Sequence, residues 1–172
     1  GSAGVIVNPI RGVSVAGSYR YGGTMRLRVV DTLRTEAKVP SRLGVAVRLD
    51  VITGLTLLGS ADRNEWSKLN GLGSTTANGL DAWEYSGGAQ FTGQRTRNTP
   101  WTYSVGYRQR DLPFAAAGAV VSEKIFSGGI SAPIAGPRAM LDLAVQRAAR
   151  DAASGTTTER AWLLSVGLSV RP

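Results

Sequence analysis

The sequence predicts an all-β fold, an antiparallel up-and-down transmembrane β-barrel to which these residues contribute about nine strands. Three observations predict it. Apolar and polar residues alternate along almost every segment, the period of a strand with unlike faces. Glycine is abundant, 22 of 172 residues, and punctuates short segments where helix-forming runs are scarce. Tryptophan and tyrosine fall on the apolar parity near segment ends, where a membrane barrel carries its aromatic girdles. A soluble all-β sandwich is the alternative, but it would place bulky aromatics in mid-strand, inside a core.

Taken in order, Ala3–Val7 is apolar and stops at the turn signal N-P-I-R-G, residues 8–12. Val13, Val15, Tyr19 and Tyr21 then alternate with Ser14, Ala16, Ser18 and Arg20. The parity continues past Gly22-Gly23 through Met25, Leu27 and Val29, so one long strand is expected, bulged at the glycines. A second long strand returns from about Arg34 to Asp50, with Pro40 marking a kink or an interruption of pairing. After the turn at Asp50–Gly54, Leu55, Leu57, Gly59 and Ala61 oppose Thr56, Ser60, Asp62 and Asn64, and the strand closes at E-W-S.

The next pair shows the clearest alternation. Trp83, Tyr85, Gly87, Ala89 and Phe91 share a face, and after a turn so do Trp101, Tyr103, Val105 and Tyr107. Centring the hairpin near Thr96 sets Phe91 against Trp101, Tyr85 against Tyr107 and Glu84 against Arg108. Lys124, Phe126, Gly128, Ile130 and Ala132 form the next apolar face, and Leu141, Leu143 and Val145 the one after it. Trp162, Leu164, Val166, Leu168 and Val170 form the last. Connections alternate between short (8–12, 50–54, 93–98, 133–138) and longer (68–79, 111–122, 151–159), the asymmetry of short periplasmic turns and longer outer loops.

The polar parity carries charges of both signs, which a dry core does not tolerate and a wet lumen does. Arg20, Arg48, Asp62, Glu84, Arg108 and Asp142 are the candidate lumen-lining residues. Glu84 and Arg108 either line a permeation path or stiffen the wall. Tyr19, Trp83, Tyr85, Phe91, Trp101 and Tyr107 are the candidate aromatic girdle. Arg63, Lys124 and Arg147, with Trp162 beside them, are charges on the lipid-facing parity near the longer connections. They either contact lipopolysaccharide headgroups or snorkel into headgroup water. The apolar run Ala115–Val121 either docks a hydrophobic ligand or packs inside the barrel mouth.

Composition excludes other chemistry. With no cysteine and no histidine the chain has no disulfide, no thiol nucleophile, no Ser-His-Asp triad and no usual zinc ligand set. No enzyme, cofactor or metal is expected. The net charge of +8 is spread singly along the strands and its aromatics are not interleaved with it, which argues against nucleic acid. No run has the ~18–20 apolar residues of a membrane helix.

Three stretches carry a family resemblance: P-I-R-G-V-S-V-A-G-S-Y-R-Y (Pro9–Tyr21), K-V-P-S-R-L-G-V-A-V-R-L-D through E-W-S-K-L (Lys38–Leu69), and Y-S-V-G-Y-R-Q-R-D-L-P-F (Tyr103–Phe114) followed by F-S-G-G-I-S-A-P. They resemble the C-terminal portion of the FadL/TodX-type outer-membrane transport proteins. The resemblance implies passive uptake of hydrophobic small molecules such as long-chain fatty acids, through a barrel of about 14 strands with an N-terminal hatch. Residues 1–172 would then be a single β-barrel domain, a C-terminal fragment lacking the hatch and early strands. It would sit in the outer membrane of a Gram-negative type bacterium, among outer-membrane lipid and lipopolysaccharide, and would need the barrel-assembly machinery. A general porin or structural barrel that conducts small polar solutes is the alternative. The chain departs from the family in ending V-R-P, where an aromatic is usual, and in Val39-Pro40 for Leu-Pro.

Overall fold

Alternating strands with β-branched residues and intervening glycines pair best with their sequence neighbours, and the chain does so throughout. The computed structural model describes residues 1–29, 32–69, 79–93, 100–116, 119–134, 138–152 and 158–170. The strands are β1 (Ser2–Ile10), β2 (Val13–Arg20), β3 (Thr24–Val29), β4 (Thr32–Lys38), β5 (Arg42–Ile52) and β6 (Leu55–Asn64), then β7 (Ala82–Thr92), β8 (Thr102–Ala116), β9 (Ala119–Pro133), β10 (Ala139–Ala152) and β11 (Thr158–Val170). Nine form one antiparallel sheet in the order β1-β2-β5-β6-β7-β8-β9-β10-β11, and β3-β4 form a separate two-stranded sheet. The large sheet is open, with β1 and β11 at its edges. One 3₁₀ turn, Trp66–Leu69, follows β6.

The two long strands expected over Val13–Asp31 and Arg34–Asp50 are each broken, where the glycines and Pro40 suggested. Gly22 lies so close to the opposite backbone that a Cβ there would stand 2.0 Å from the Val39 carbonyl oxygen, and Gly23 has φ of +80°. The Val39 N–H still reaches the Gly23 carbonyl at 3.0 Å, which carries the pairing of the two arms one position below β3–β4 into the break.

Several expected turns are tighter than the sequence suggested. N-P-I-R-G is not a five-residue turn: β1 runs on to Ile10 with an irregularity between Val7 and Ile10, and only Arg11-Gly12 turns. Proline is tolerated there because β1 is an edge strand, and Asn8 accepts a hydrogen bond from the Ser14 hydroxyl at 2.6 Å. Likewise β5 continues to Ile52 and the turn is Thr53-Gly54, with Gly54 at φ +89°. The expected loop 111–122 is mostly strand. β8 and β9 extend to Ala116 and from Ala119, with a register shift between Asp111 and Ala115. The expected loop 151–159 shortens in the same way, since β10 reaches Ala152 and β11 starts at Thr158. The asymmetry between the two ends therefore lies in strand reach as well as in the one long connection, 65–81. The end bearing β3–β4, the 65–81 connection and the β8–β9 extension is called upper below.

The β7–β8 register differs by two residues from the expected one. Phe91 pairs with Tyr103, Gly87 with Tyr107 and Glu84 with Arg110. The parity is unchanged, because a shift of two keeps every side chain on its face. What moves is partnership: Tyr107 packs against Phe126 of β9, ring centroids 4.8 Å apart, instead of against Tyr85.

Candidate functional site: two faces and an upper rim

Following the pairings from strand to strand shows which residues share a face. The row Val13–Leu49–Leu57–Ala89–Val105–Gly128–Val145–Leu164 is apolar or glycine from β2 to β11. The row below it, Leu55–Phe91–Tyr103–Ile130–Leu143–Val166, is apolar too. These side chains are in the open: Val105 is 64% and Leu164 78% exposed. At about 4.8 Å per strand the face is roughly 40 Å wide, far beyond the few hundred Å² of apolar surface usual on a soluble monomer.

The aromatic residues lie on this face in two groups. Tyr19, Trp83, Tyr85 and Tyr107, joined by Phe126 and Trp162, mark the upper part. Phe91 and Trp101, joined by Tyr103, mark the lower. Trp83 stacks on Tyr85 at 5.8 Å. On β7, Trp83 and Phe91 are eight residues apart, about 26 Å along the strand. Tyr19 and Trp83 sit at strand ends as expected, whereas Tyr107, Phe126 and Trp162 lie further in because β8, β9 and β11 run past them.

The opposite face is small and polar. One row takes a charged residue from each of six consecutive strands: Asp62, Glu84, Arg110, Glu123, Arg150 and Glu159. Arg42 binds Asp62 at 3.1 Å, Arg108 approaches Glu84 at 3.4 Å, and Arg110 and Arg150 hold the two oxygens of Glu123 at 2.6 and 2.7 Å. Arg150 also reaches Glu159 at 3.7 Å. Gly44 makes room for this row, since a Cβ there would come within 2.4 Å of the Asp62 carboxylate.

Of the six residues expected on this face, all lie there by register. Asp62, Glu84 and Arg108 belong to the charged band. Arg20 lies opposite Arg42 one row above it. Arg48 is near the lower end, bound to Asp50 at 3.1 Å, and Asp142 accepts a hydrogen bond from Ser131. Reading residues 111–122 and 151–159 as loops left Arg110, Glu123 and Arg150 at the margins of strands that in fact run on past them. Their parity with Glu84, Arg108 and Asp142 was the available signal.

Between the charged band and the lower end most side chains of the polar face are small. Ile6–Ala16–Ala46–Ser60–Ser86 and Ser14–Arg48–Leu58–Gly88 are adjacent rows. They floor a hollow of ≈ 440 Å³ that reaches from β1 to β7, so this face is concave there. Ile6, 72% exposed, and Leu58, 48% exposed, are large apolar side chains on an otherwise small and polar wall.

At the upper rim of the apolar face the predicted headgroup residues separate. Arg63 lies 5.6 Å over the Trp83 ring and binds Asp81 at 3.1 Å, so its charge is answered within the chain. Arg147 lies 5.8 Å over the Trp162 ring, and Lys124 projects one strand away, on β9. Residues 117 and 118 of the apolar run Ala115–Val121 lie outside the described residues, and of the rest Val121 is buried.

No described helix is long and apolar enough to cross a membrane, and no cluster of acidic groups among the described residues could hold a metal ion. The fold and its faces thus define an all-β protein, one open, antiparallel, up-and-down sheet with an exposed apolar side and a polar side. No protein-family model and no curated protein matches the sequence.

Proposed function

We propose that this chain forms the wall of an outer-membrane β-barrel that passes hydrophobic small molecules, such as long-chain fatty acids, along its polar face by binding and diffusion. The observation that carries the reading is the apolar face, exposed across nine paired strands with a polar, ion-paired face behind it. Lipid is the solvent that suits such a face, and at the usual barrel tilt the aromatic groups would stand about 20 Å apart, within the ~25 Å apolar band of a membrane barrel. Further strands would pair with the free edges of β1 and β11, since a membrane tolerates no open edge. Assembly machinery would be needed to insert it.

The hollow beside Ile6 and Leu58 favours a hydrophobic ligand over a hydrated ion. The charged band favours a second reading, a general porin that conducts small polar solutes. Reconstitution in planar bilayers and liposomes separates them. Fatty-acid binding without steady conductance supports the transporter, and steady conductance without binding supports the porin. Failure to insert into either membrane overturns both.

A further inference from the structure

Five arginines of the polar face have carboxylate partners, whereas Arg20 forms no ion pair among the described residues. Arg42, Arg48, Arg108, Arg110 and Arg150 all form ion pairs within the sheet. On the apolar face at the upper rim the pattern reverses. Lys124, Arg147 and Arg160 occupy adjacent strands β9, β10 and β11, and none of the three forms an ion pair among the described residues.

Their placement is compact. Lys124 and Arg160 both pair across from Ala149, one on each side of β10, so their backbones are about 10 Å apart. Arg147 is two residues along β10 from Ala149 on the same face, about 7 Å away. Three long cationic side chains therefore surround a position occupied only by a methyl group, and they can converge on one anion in front of it. Trp162, directly opposite Arg147 and 69% exposed, supplies an apolar surface just below. Asp151 pairs across with Ser122 and Thr158 one row higher and is the nearest carboxylate on this face of β10. Asp111 pairs across with Ser122 from the other side, on β8, so net of both carboxylates the patch carries one positive charge.

We infer that Lys124, Arg147 and Arg160 form a binding site for the phosphate group of an anionic membrane lipid, with Trp162 against the start of its acyl chains. A phosphate offers several acceptor oxygens to guanidinium forks, and a lipid presents it where the apolar face ends. The site rests on the lipid-facing reading of that surface. Arg160 is its new member. Arg63, which is answered by Asp81, is excluded from it.

The test uses the full chain reconstituted in phosphatidylcholine vesicles. Brominated-chain phosphatidic acid or brominated-chain phosphatidylcholine is added, and Trp162 quenching is read as the part lost in Trp162→Phe. The site predicts half-quenching at an about tenfold lower mole fraction of the acid. That preference should vanish in the Lys124→Gln/Arg147→Gln/Arg160→Gln variant and survive in Arg138→Gln, a change at the lower end. Equal quenching by both lipids in the unmodified protein overturns the site while leaving the membrane reading intact. Trp162 that neither lipid quenches overturns both. A bis-phosphorylated glycolipid and phosphatidylglycerol, added as competitors, identify the source by which displaces the brominated acid at the lower fraction.

Discussion

Glu123 has 2% of its side chain exposed, and each of its carboxylate oxygens meets a guanidinium group. Burial of a carboxylate is costly unless it is paired. Here two partly exposed arginines from neighbouring strands supply the pairing and tie β8, β9 and β10 together. Glu123→Gln should destabilise the protein by about 1–3 kcal/mol, since it removes the negative charge between two cations and turns one of the two acceptor oxygens into a donor. Urea unfolding in detergent measures this, and an unchanged midpoint would mean the clamp contributes nothing. Gly44 makes a more specific claim. Gly44→Ala should displace Asp62 from Arg42 and lower stability, and the loss should shrink in an Asp62→Ser background, because the obstructing atom belongs to a movable side chain. Equal losses in both backgrounds would show that Asp62 is not the obstruction and would leave the Ser18 hydroxyl, 3.0 Å from the added methyl group, as the group in the way.

Asp81 lies outside the strands. The Ser67 hydroxyl donates to it at 2.6 Å, and this bond chiefly holds its pKa below the ordinary carboxylate value, against partial desolvation and with help from Arg63. A depressed folded pKa contributes stability that is complete above the unfolded value, about 3.9. That contribution is lost as the pH falls through the folded value. The stability gap between the unmodified protein and Asp81→Asn should therefore be constant above about pH 5 and close on acidification below about pH 4. A gap that holds at low pH would remove Asp81 as its cause.

Among the elements, the β3–β4 hairpin is the least tied. It forms its own sheet and meets the larger one across the Gly22-Gly23 and Pro40 break. Its amides should exchange with solvent faster than those of β2 and β5, which continue directly below it. Uniform protection along both pairs would show that the break is not a hinge. The β7–β8 hairpin teaches a different lesson. Alternation placed Trp83, Tyr85 and Phe91 on one face and Glu84 on the other, and that assignment held. The register did not, because residues 93–101 permit more than one closure and each cross-strand pair is worth only ~0.2–1 kcal/mol. Neighbours on both flanks, β6 and β9, add the pairings that select Phe91 against Tyr103.

For the molecule as a whole, everything proposed depends on which face meets lipid. Val145 lies in the central apolar row and Ala144, its neighbour, on the polar face. Val145→Arg should impair insertion by about 2–4 kcal/mol, the cost of an arginine near the bilayer midplane, and Ala144→Arg by much less. Protease protection in liposomes reads the difference. Equal tolerance of both would end the lipid-facing reading.

Strand identity, strand parity and the sign of each face were all legible in the one-dimensional pattern, because side chains alternate along any strand whatever its partner. The glycine and proline break was legible too, since φ above zero and a missing N–H are properties of the residues themselves. Three things were decided only in three dimensions: how far β8, β9 and β10 run, which residues stand opposite one another, and that Asp62, Glu84, Arg110, Glu123, Arg150 and Glu159 form one band. Each depends on hydrogen-bond register between strands, which summed weak pairings over the whole sheet select and no single segment contains.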